Sequence, residues 1–220
     1  MLNSHSSLGV YLDLFHDWAL VILIFISFFV FTIIVIFSLN RWCFKDLIEA
    51  KGLELVWTIV PGFVLLLLVV PSLYGLYLLD IAGLYAARET ILVAGRQWYW
   101  RYSYVLNILD LKRGGERLRY DSYMVMEKGL DLRKLEVDRP LVVFRKILNR
   151  VILSSNDVIH RFAVPQLGFK LDCVPGRLNQ RFVRVMHLGK FYGQCSEICG
   201  ANHSFMPISV ECIPRFLINR

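Results

Sequence analysis

The sequence has no cluster of Lys and Arg that would form a nucleic-acid face. Its formal net charge is +7, but the basic residues are dispersed, whereas a run of about five to eight marks such a patch. No nucleic-acid partner is expected, and the excess suits lipid headgroups and neighbouring subunits better. Charge itself is absent from Trp18–Leu39. No basic residue precedes that run and no small-residue cleavage site follows it, so it does not read as a cleaved leader. An even set of cysteines is also lacking. The five, Cys43, Cys173, Cys195, Cys199 and Cys212, exclude a pure disulfide framework.

What is abundant is apolar sequence, 56 % of the chain against roughly 45–50 % in soluble domains. The excess sits at the N-terminus. Trp18–Leu39 is about 22 residues long, enough to cross a hydrocarbon core of about 30 Å. Leu55–Leu79 is a second such run and contains Pro61 and Pro71, which membrane helices tolerate and which predict kinks. The expected division is a tail 1–17, membrane helices 18–40 and 55–80 joined by a loop 41–54, a linker 81–89 and an exposed domain 90–220. The tail has no Lys or Arg, and the loop region has Arg41, Lys45 and Lys51. The positive-inside rule therefore puts the loop on the matrix or cytoplasmic side and both termini opposite. Glu54 stands where the second helix begins. It fits either a solvated group at a helix N-terminus or the mouth of a proton path.

From Thr90 onward the pattern changes to short β-branched and aromatic runs. Thr90–Val93, Trp98–Val105, Leu141–Phe144, Val151–Ser154, Phe182–Met186 and Ile208–Cys212 read as strands. Gly and Pro punctuate the connections, which predicts a β-sandwich or barrel. The segment 113–119, with its paired glycines, reads as a solvated hairpin turn.

The chemistry concentrates in Tyr192–Pro207, where Cys195, Cys199, His203 and Met206 follow a C-x3-C-x3-H-x2-M pattern. Gly193, Gly200 and Pro207 frame it, so a loop is expected. Thiolate and thioether donors together favour copper over hard cations. Two cysteines suggest bridges between two copper ions, each of which then needs a terminal imidazole. His203 supplies one. His160 is the best candidate for the other, with His5, His16 and His187 as weaker alternatives. A zinc site would leave Met206 without a role. A Cys195–Cys199 disulfide in an oxidising compartment reads as the metal-free form. Such a site would relay electrons without binding a substrate.

Y-G-Q-C-S-E-I-C-G-A-N-H-S-F-M-P, D-V-I-H-R-F-A-V-P-Q-L-G-F-K-L-D, V-P-G-R-L-N-Q, G-R-Q-W-Y-W-R-Y and E-L-V-W-T-I-V-P together resemble cytochrome c oxidase subunit II, from about His16 to Ile213. The resemblance implies a two-helix transmembrane hairpin followed by an all-β cupredoxin-like domain. It implies a binuclear copper A centre bridged by Cys195 and Cys199, with His160 and His203 as terminal ligands. Met206 and the Glu197 carbonyl become weak ligands. The Glu197 carboxylate would reach a magnesium ion shared with subunit I, with Asp172 nearby. Trp98 becomes the point where electrons arrive from cytochrome c, and Glu54 the mouth of a proton pathway. Implied partners are subunits I and III, further small subunits, cytochrome c and membrane lipid. Electrons would pass to heme a in subunit I, where oxygen is reduced and protons are pumped. The implied location is the mitochondrial inner membrane with the domain in the intermembrane space, or alternatively a bacterial plasma membrane with a periplasmic domain.

The sequence departs from that family in its charge. A carboxylate-rich docking face is implied, yet the stretches 112–119 and 139–150 are basic. Asp121, Glu136, Asp138 and Asp157 are the docking carboxylates left. Cys173 reads as a packing residue. Three rival readings fit less well: a quinol oxidase subunit II would lack the copper ligands, a copper carrier would not need Trp98 and Glu54 together, and the copper A domain of a nitrogen-oxide reductase would not need the membrane hairpin.

Overall fold

The computed structural model describes residues 3–41, 49–81, 87–105, 118–125 and 132–214. Cys43, Lys45 and nearly all of the basic stretch 112–119 lie outside the described residues. The chain divides into two units, 12–77 and the remainder, which takes in 3–11 and the residues from 78 onward.

Two long helices supply the first unit. α1 spans Ser7–Leu39 and α2 spans Lys51–Ile81. Both are long and apolar enough to cross a membrane. Their large apolar side chains are exposed, Phe28 at 69 % and Phe37 at 72 %, which is unfavourable in water and natural in lipid. Pro61 and Pro71 lie inside α2. Helix α1 begins well before the expected start at Trp18, because the polar tail continues the helix beyond the apolar run.

The second unit is a sandwich of two five-stranded sheets. One has the order β3–β2–β1–β5–β8 and the other β4–β10–β9–β6–β7. The strands are β1 Glu89–Arg96, β2 Tyr99–Val105, β3 Leu118–Ser122, β4 Leu141–Phe144, β5 Leu148–Ser155, β6 His160–Val164, β7 Phe169–Cys173, β8 Asn179–Arg184, β9 Gly189–Cys195 and β10 Pro207–Ile213. β1 with β5 and β10 with β4 are parallel pairs; the others are antiparallel. Strict alternation of buried residues along β1 and β5 turns one face of that sheet inward. Ile91, Trp100, Leu153, Phe162, Ile208 and Val210 meet in the core.

Five expected strands appear in place or extended, while Phe182–Met186 is shifted to β8. β3, β6, β7 and β9 were not expected. Their sequences mix charged residues, Gly and short alternations, and they hold their conformation by pairing. Cys195 accordingly ends a strand and does not lie in a loop. The tail also departs from expectation. The His5 N–H donates to Gln166 O at 2.8 Å, the Met186 N–H donates to His5 O at 2.8 Å, and Ser6 Oγ donates to Leu167 O at 2.7 Å. His5–Ser6 is thereby stitched to the β-domain.

β6 and β9 approach so closely that only glycine fits at Gly193. A Cβ there would stand 2.0 Å from Ala163 O. Gly193→Ala is expected to cost at least about 3 kcal/mol through forced separation of the strands. Urea unfolding of the β-domain should show this as a lower midpoint, and an unchanged midpoint would contradict the packing.

Candidate metal centre

Four elements bring the soft donors together. His160 opens β6, Cys195 closes β9, His203 lies in a 3-10 turn His203–Phe205, and Met206 precedes β10. Pairing of Phe162 with Cys195 across β6 and β9 sets His160 near the first cysteine. Its Nδ1 lies 3.8 Å from Cys195 Sγ. Cys195 Sγ and Cys199 Sγ are 4.0 Å apart. That is far beyond a disulfide bond of about 2.05 Å and within the span of two sulfurs sharing metal ions at about 2.3 Å each. Cys199 Sγ lies 3.4 Å from His203 Nδ1 and 3.5 Å from Met206 Sδ. The backbone carbonyl of Glu197 lies 3.3 Å from Cys195 Sγ. His160, Cys195 and Cys199 are all buried, with donor atoms within 4.8 Å of one another.

A carboxylate aims the imidazole. His160 Nε2 contacts Asp157 Oδ1 at 2.9 Å. With the proton on Nε2, Nδ1 presents its lone pair to the sulfurs. Asp157, one of the candidate docking carboxylates, makes this contact while remaining exposed. Its other oxygen accepts the Gln97 N–H at 2.7 Å. Gln97 Nε2 in turn donates to Cys199 O at 2.8 Å. Gln97 therefore couples the β1–β2 turn, which carries Trp98, to both sides of the donor cluster. Gly95 makes the room, since a Cβ there would stand 2.7 Å from the His160 ring. Trp100 Nε1 donates to Met206 O at 3.2 Å.

Sequence reasoning missed Gln97, Gly95 and Trp100. The one legible signal was Asp157 three residues before His160, inside a motif already in view.

The electrostatics separate the two thiols. Burial pushes the Cys195 thiol up, but hydrogen bonds from His160 and the neighbouring backbone outweigh it and leave it lowered. Burial and the neighbouring Cys195 charge push Cys199 up. At His160 burial acts downward, and the Cys195 and Asp157 contacts leave the pKa raised. Cys173 is fully buried, and its thiol is pushed up to about 12 chiefly by burial, as suits packing.

The remaining expected residues lie around this cluster. Trp98 is partly buried and packs on the core, next to Gly200. Its Nε1 is buried without a hydrogen-bond partner among the described residues. Glu197 Oε2 pairs with Arg161 Nη2 at 3.0 Å, and Arg161 Nε also pairs with Asp172. One guanidinium thus joins the two carboxylates expected beside magnesium. Glu54 is exposed in the first turn of α2. Of the alternative histidines, His5 and His187 lie 3.4 Å from each other, and His16 contacts Asp17.

A buried, soft-donor cluster at the end of a β-sandwich, in a chain with two membrane-length helices, defines a membrane-anchored cupredoxin-like protein. The comparisons give the family. Residues 89–213 match the cytochrome c oxidase subunit II periplasmic domain, and residues 1–74 match the transmembrane domain of the same subunit. Cytochrome c oxidase subunit 2 of Aedes aegypti is 42 % identical over 215 residues, covering 96 % of this chain and 90 % of that one. The crystal structure of the periplasmic domain of subunit II from Bradyrhizobium japonicum is similar with a TM-score of 0.54 and 39 % identity, covering 61 % of this chain and 91 % of that one. A mixed-disulfide intermediate between a thioredoxin-like protein and subunit II is similar at a TM-score of 0.51 and 38 % identity, covering 61 % and 88 %. The chain belongs to the cytochrome c oxidase subunit II family. It is the electron-transfer subunit of a heme–copper terminal oxidase, a membrane protein with a C-terminal domain outside the membrane.

Two outcomes test the centre. Asp157→Ala frees the imidazole to rotate, so copper affinity should fall about 10–100-fold, as read by competition with a chelator; an unchanged affinity would remove Asp157 from the site. In the metal-free protein at neutral pH, iodoacetamide followed by peptide mapping should label Cys195 before Cys199, because the thiolate is the nucleophile. Equal labelling would contradict the asymmetry.

Proposed function

We propose that Cys195, Cys199, His160, His203, Met206 and the Glu197 carbonyl hold a binuclear copper A centre that takes electrons from cytochrome c and delivers them to heme a in subunit I. The observation that carries this reading is the pair of unbonded thiols 4.0 Å apart, flanked by one imidazole each. The donor set fits copper, since two thiolates and a thioether are soft and the imidazoles suit copper equally. Bound there, copper supplies one-electron exchange. The chain holds the donors in strands and hydrogen bonds that do not depend on oxidation state, which keeps geometric change on electron transfer small. Burial excludes water from the sulfurs.

Trp98 is the proposed point of arrival. Its turn is joined through Gln97 to Cys199 O and Asp157. Glu54 is the proposed opening of a proton pathway that continues in subunit I. The remaining proposed setting is the mitochondrial inner membrane, with subunit III and smaller subunits as further partners. Magnesium fits this chain less well. It prefers several oxygen ligands in near-octahedral geometry, whereas the Glu197 carboxylate is already engaged by Arg161.

The cysteines also require a reduced state for loading. In an oxidising compartment Cys195 and Cys199 are close enough to close on each other. A thioredoxin-like reductant would reopen them through a mixed disulfide, the species captured for the related subunit II.

The copper-loaded β-domain should be purple, with an electron-spin spectrum shared over two copper ions. A colourless protein with one zinc ion would end the reading. In the oxidase, Trp98→Leu should slow reduction by cytochrome c at least about tenfold, a barrier increase of about 1.4 kcal/mol, with the copper spectrum unchanged. An unaffected rate in stopped-flow measurements would place electron arrival elsewhere.

A further inference from the structure

The outward face of the first sheet carries a groove that the copper centre does not use. It has a volume of about 260 Å³ and is lined by Arg96, Arg101, Ser103, Arg119, Ser154 and Asn156 among others. Strand register explains it. Ala94 stands between Arg101 on β2 and Ser154 on β5, and Ser103 pairs with Arg119 on β3. Ala94, Ser103 and Ser154 are small and leave a depression, Leu92, Ile152 and Leu178 also line it, and arginines on three adjacent strands add the charge.

The charges in the groove are unequal. Arg101 is held by Asp121 through bonds of 2.6 and 2.9 Å. Asp121 is kept below the usual carboxylate range first by that bond, with the charges of Arg96 and Arg119 adding to it. Three guanidinium groups therefore face one carboxylate, which does not itself line the groove. Arg96 lines the groove with its Nε buried and without a hydrogen-bond partner among the described residues, so the terminal nitrogens are what its guanidinium offers an anion.

We propose that this groove binds a diphosphate-type anion. Guanidinium forks match phosphate oxygens in pairs. Arg96 stands opposite Tyr99 and Arg119 opposite Ser103, so these two arginines are two strand spacings apart, roughly 10 Å, and offset along the strands as well, a span that exceeds one phosphate and suits two met by long side chains. The charge surplus left after Asp121 requires a multivalent anion for neutrality. Ser103, Ser154 and Asn156 add neutral donors between the arginines. The same chemistry is offered by free pyrophosphate and by the paired phosphates of a diphosphatidyl lipid headgroup.

The test uses the purified whole oxidase in phosphatidylcholine nanodiscs, titrated with inorganic pyrophosphate by calorimetry. Saturable binding is expected, weakening as salt rises. Arg96→Gln and Arg119→Gln should each weaken it at least about tenfold. Arg119 is exposed, so its replacement spares the fold, and an unchanged copper spectrum serves as the control for both variants. Nanodiscs containing a diphosphatidyl lipid separate the sources. Loss of pyrophosphate binding there assigns the groove to the headgroup, and undiminished binding assigns it to a soluble anion. No saturable binding in phosphatidylcholine, or binding indifferent to both substitutions, overturns the proposal. A failed titration with a normal copper spectrum leaves the electron-transfer reading intact.

Discussion

The donor cluster depends on holding two thiols close at a fixed separation. A separation of 4.0 Å between Cys195 and Cys199 Sγ is set by backbone on both sides. Cys195 is fixed as the last residue of β9 against β6. The Cys199 carbonyl is held by the Gln97 side chain, whose own backbone N–H is held by Asp157. A short loop with four soft donors would otherwise be free to fold onto itself. Here the sheet fixes one end, and the β1–β2 turn fixes the middle.

That arrangement makes the β-domain more than a carrier. Gly193 lets β9 approach β6 within the limit of a carbonyl contact, and Gly95 leaves space for the His160 ring. Trp100, fully buried, donates to Met206 O and sits edge-on to the His160 ring at 5.9 Å. The donors are thus placed by residues that never touch a metal. Glycine appears where two backbones, or a backbone and a ring, must meet closer than a methyl group allows.

Much of this was legible from side-chain chemistry. The softness of two thiolates and a thioether pointed to copper without any coordinates, and the apolar runs pointed to membrane helices. Strands that are apolar and rich in β-branched residues, such as Leu141–Phe144 and Val151–Ser154, were also legible. β6, β7 and β9 were not, because His160–Val164 and Gly189–Cys195 have weak local preference and become strands only through partners distant in sequence. The second contact of Asp157 was hidden for a related reason. A carboxylate in a polar segment reads as exposed, which Asp157 is, but only the fold shows which imidazole it also faces. Gly95 carried no sequence signal and Gly193 read as the frame of a loop, although it lies inside β9, since crowding is a property of two strands at once.

The same distinction bears on how this domain meets its partners. Four carboxylates were expected to be free for docking, and each has an internal contact. Asp121 holds Arg101, Glu136 accepts from Tyr192 Oη at 2.5 Å, Asp138 accepts the Tyr123 N–H at 2.7 Å, and Asp157 faces His160. A carboxylate engaged at short range still contributes a charge at long range, but its partner cancels much of that field wherever the partner is a cation. Asp121 is cancelled by Arg101, whereas Asp138 is bound by a neutral amide and keeps its full charge. Glu136 lies 4.0 Å from Lys190 and is cancelled in part. Of these four carboxylates Asp121 is the most fully cancelled, so charge steering of the proposed basic donor would fall to the other three.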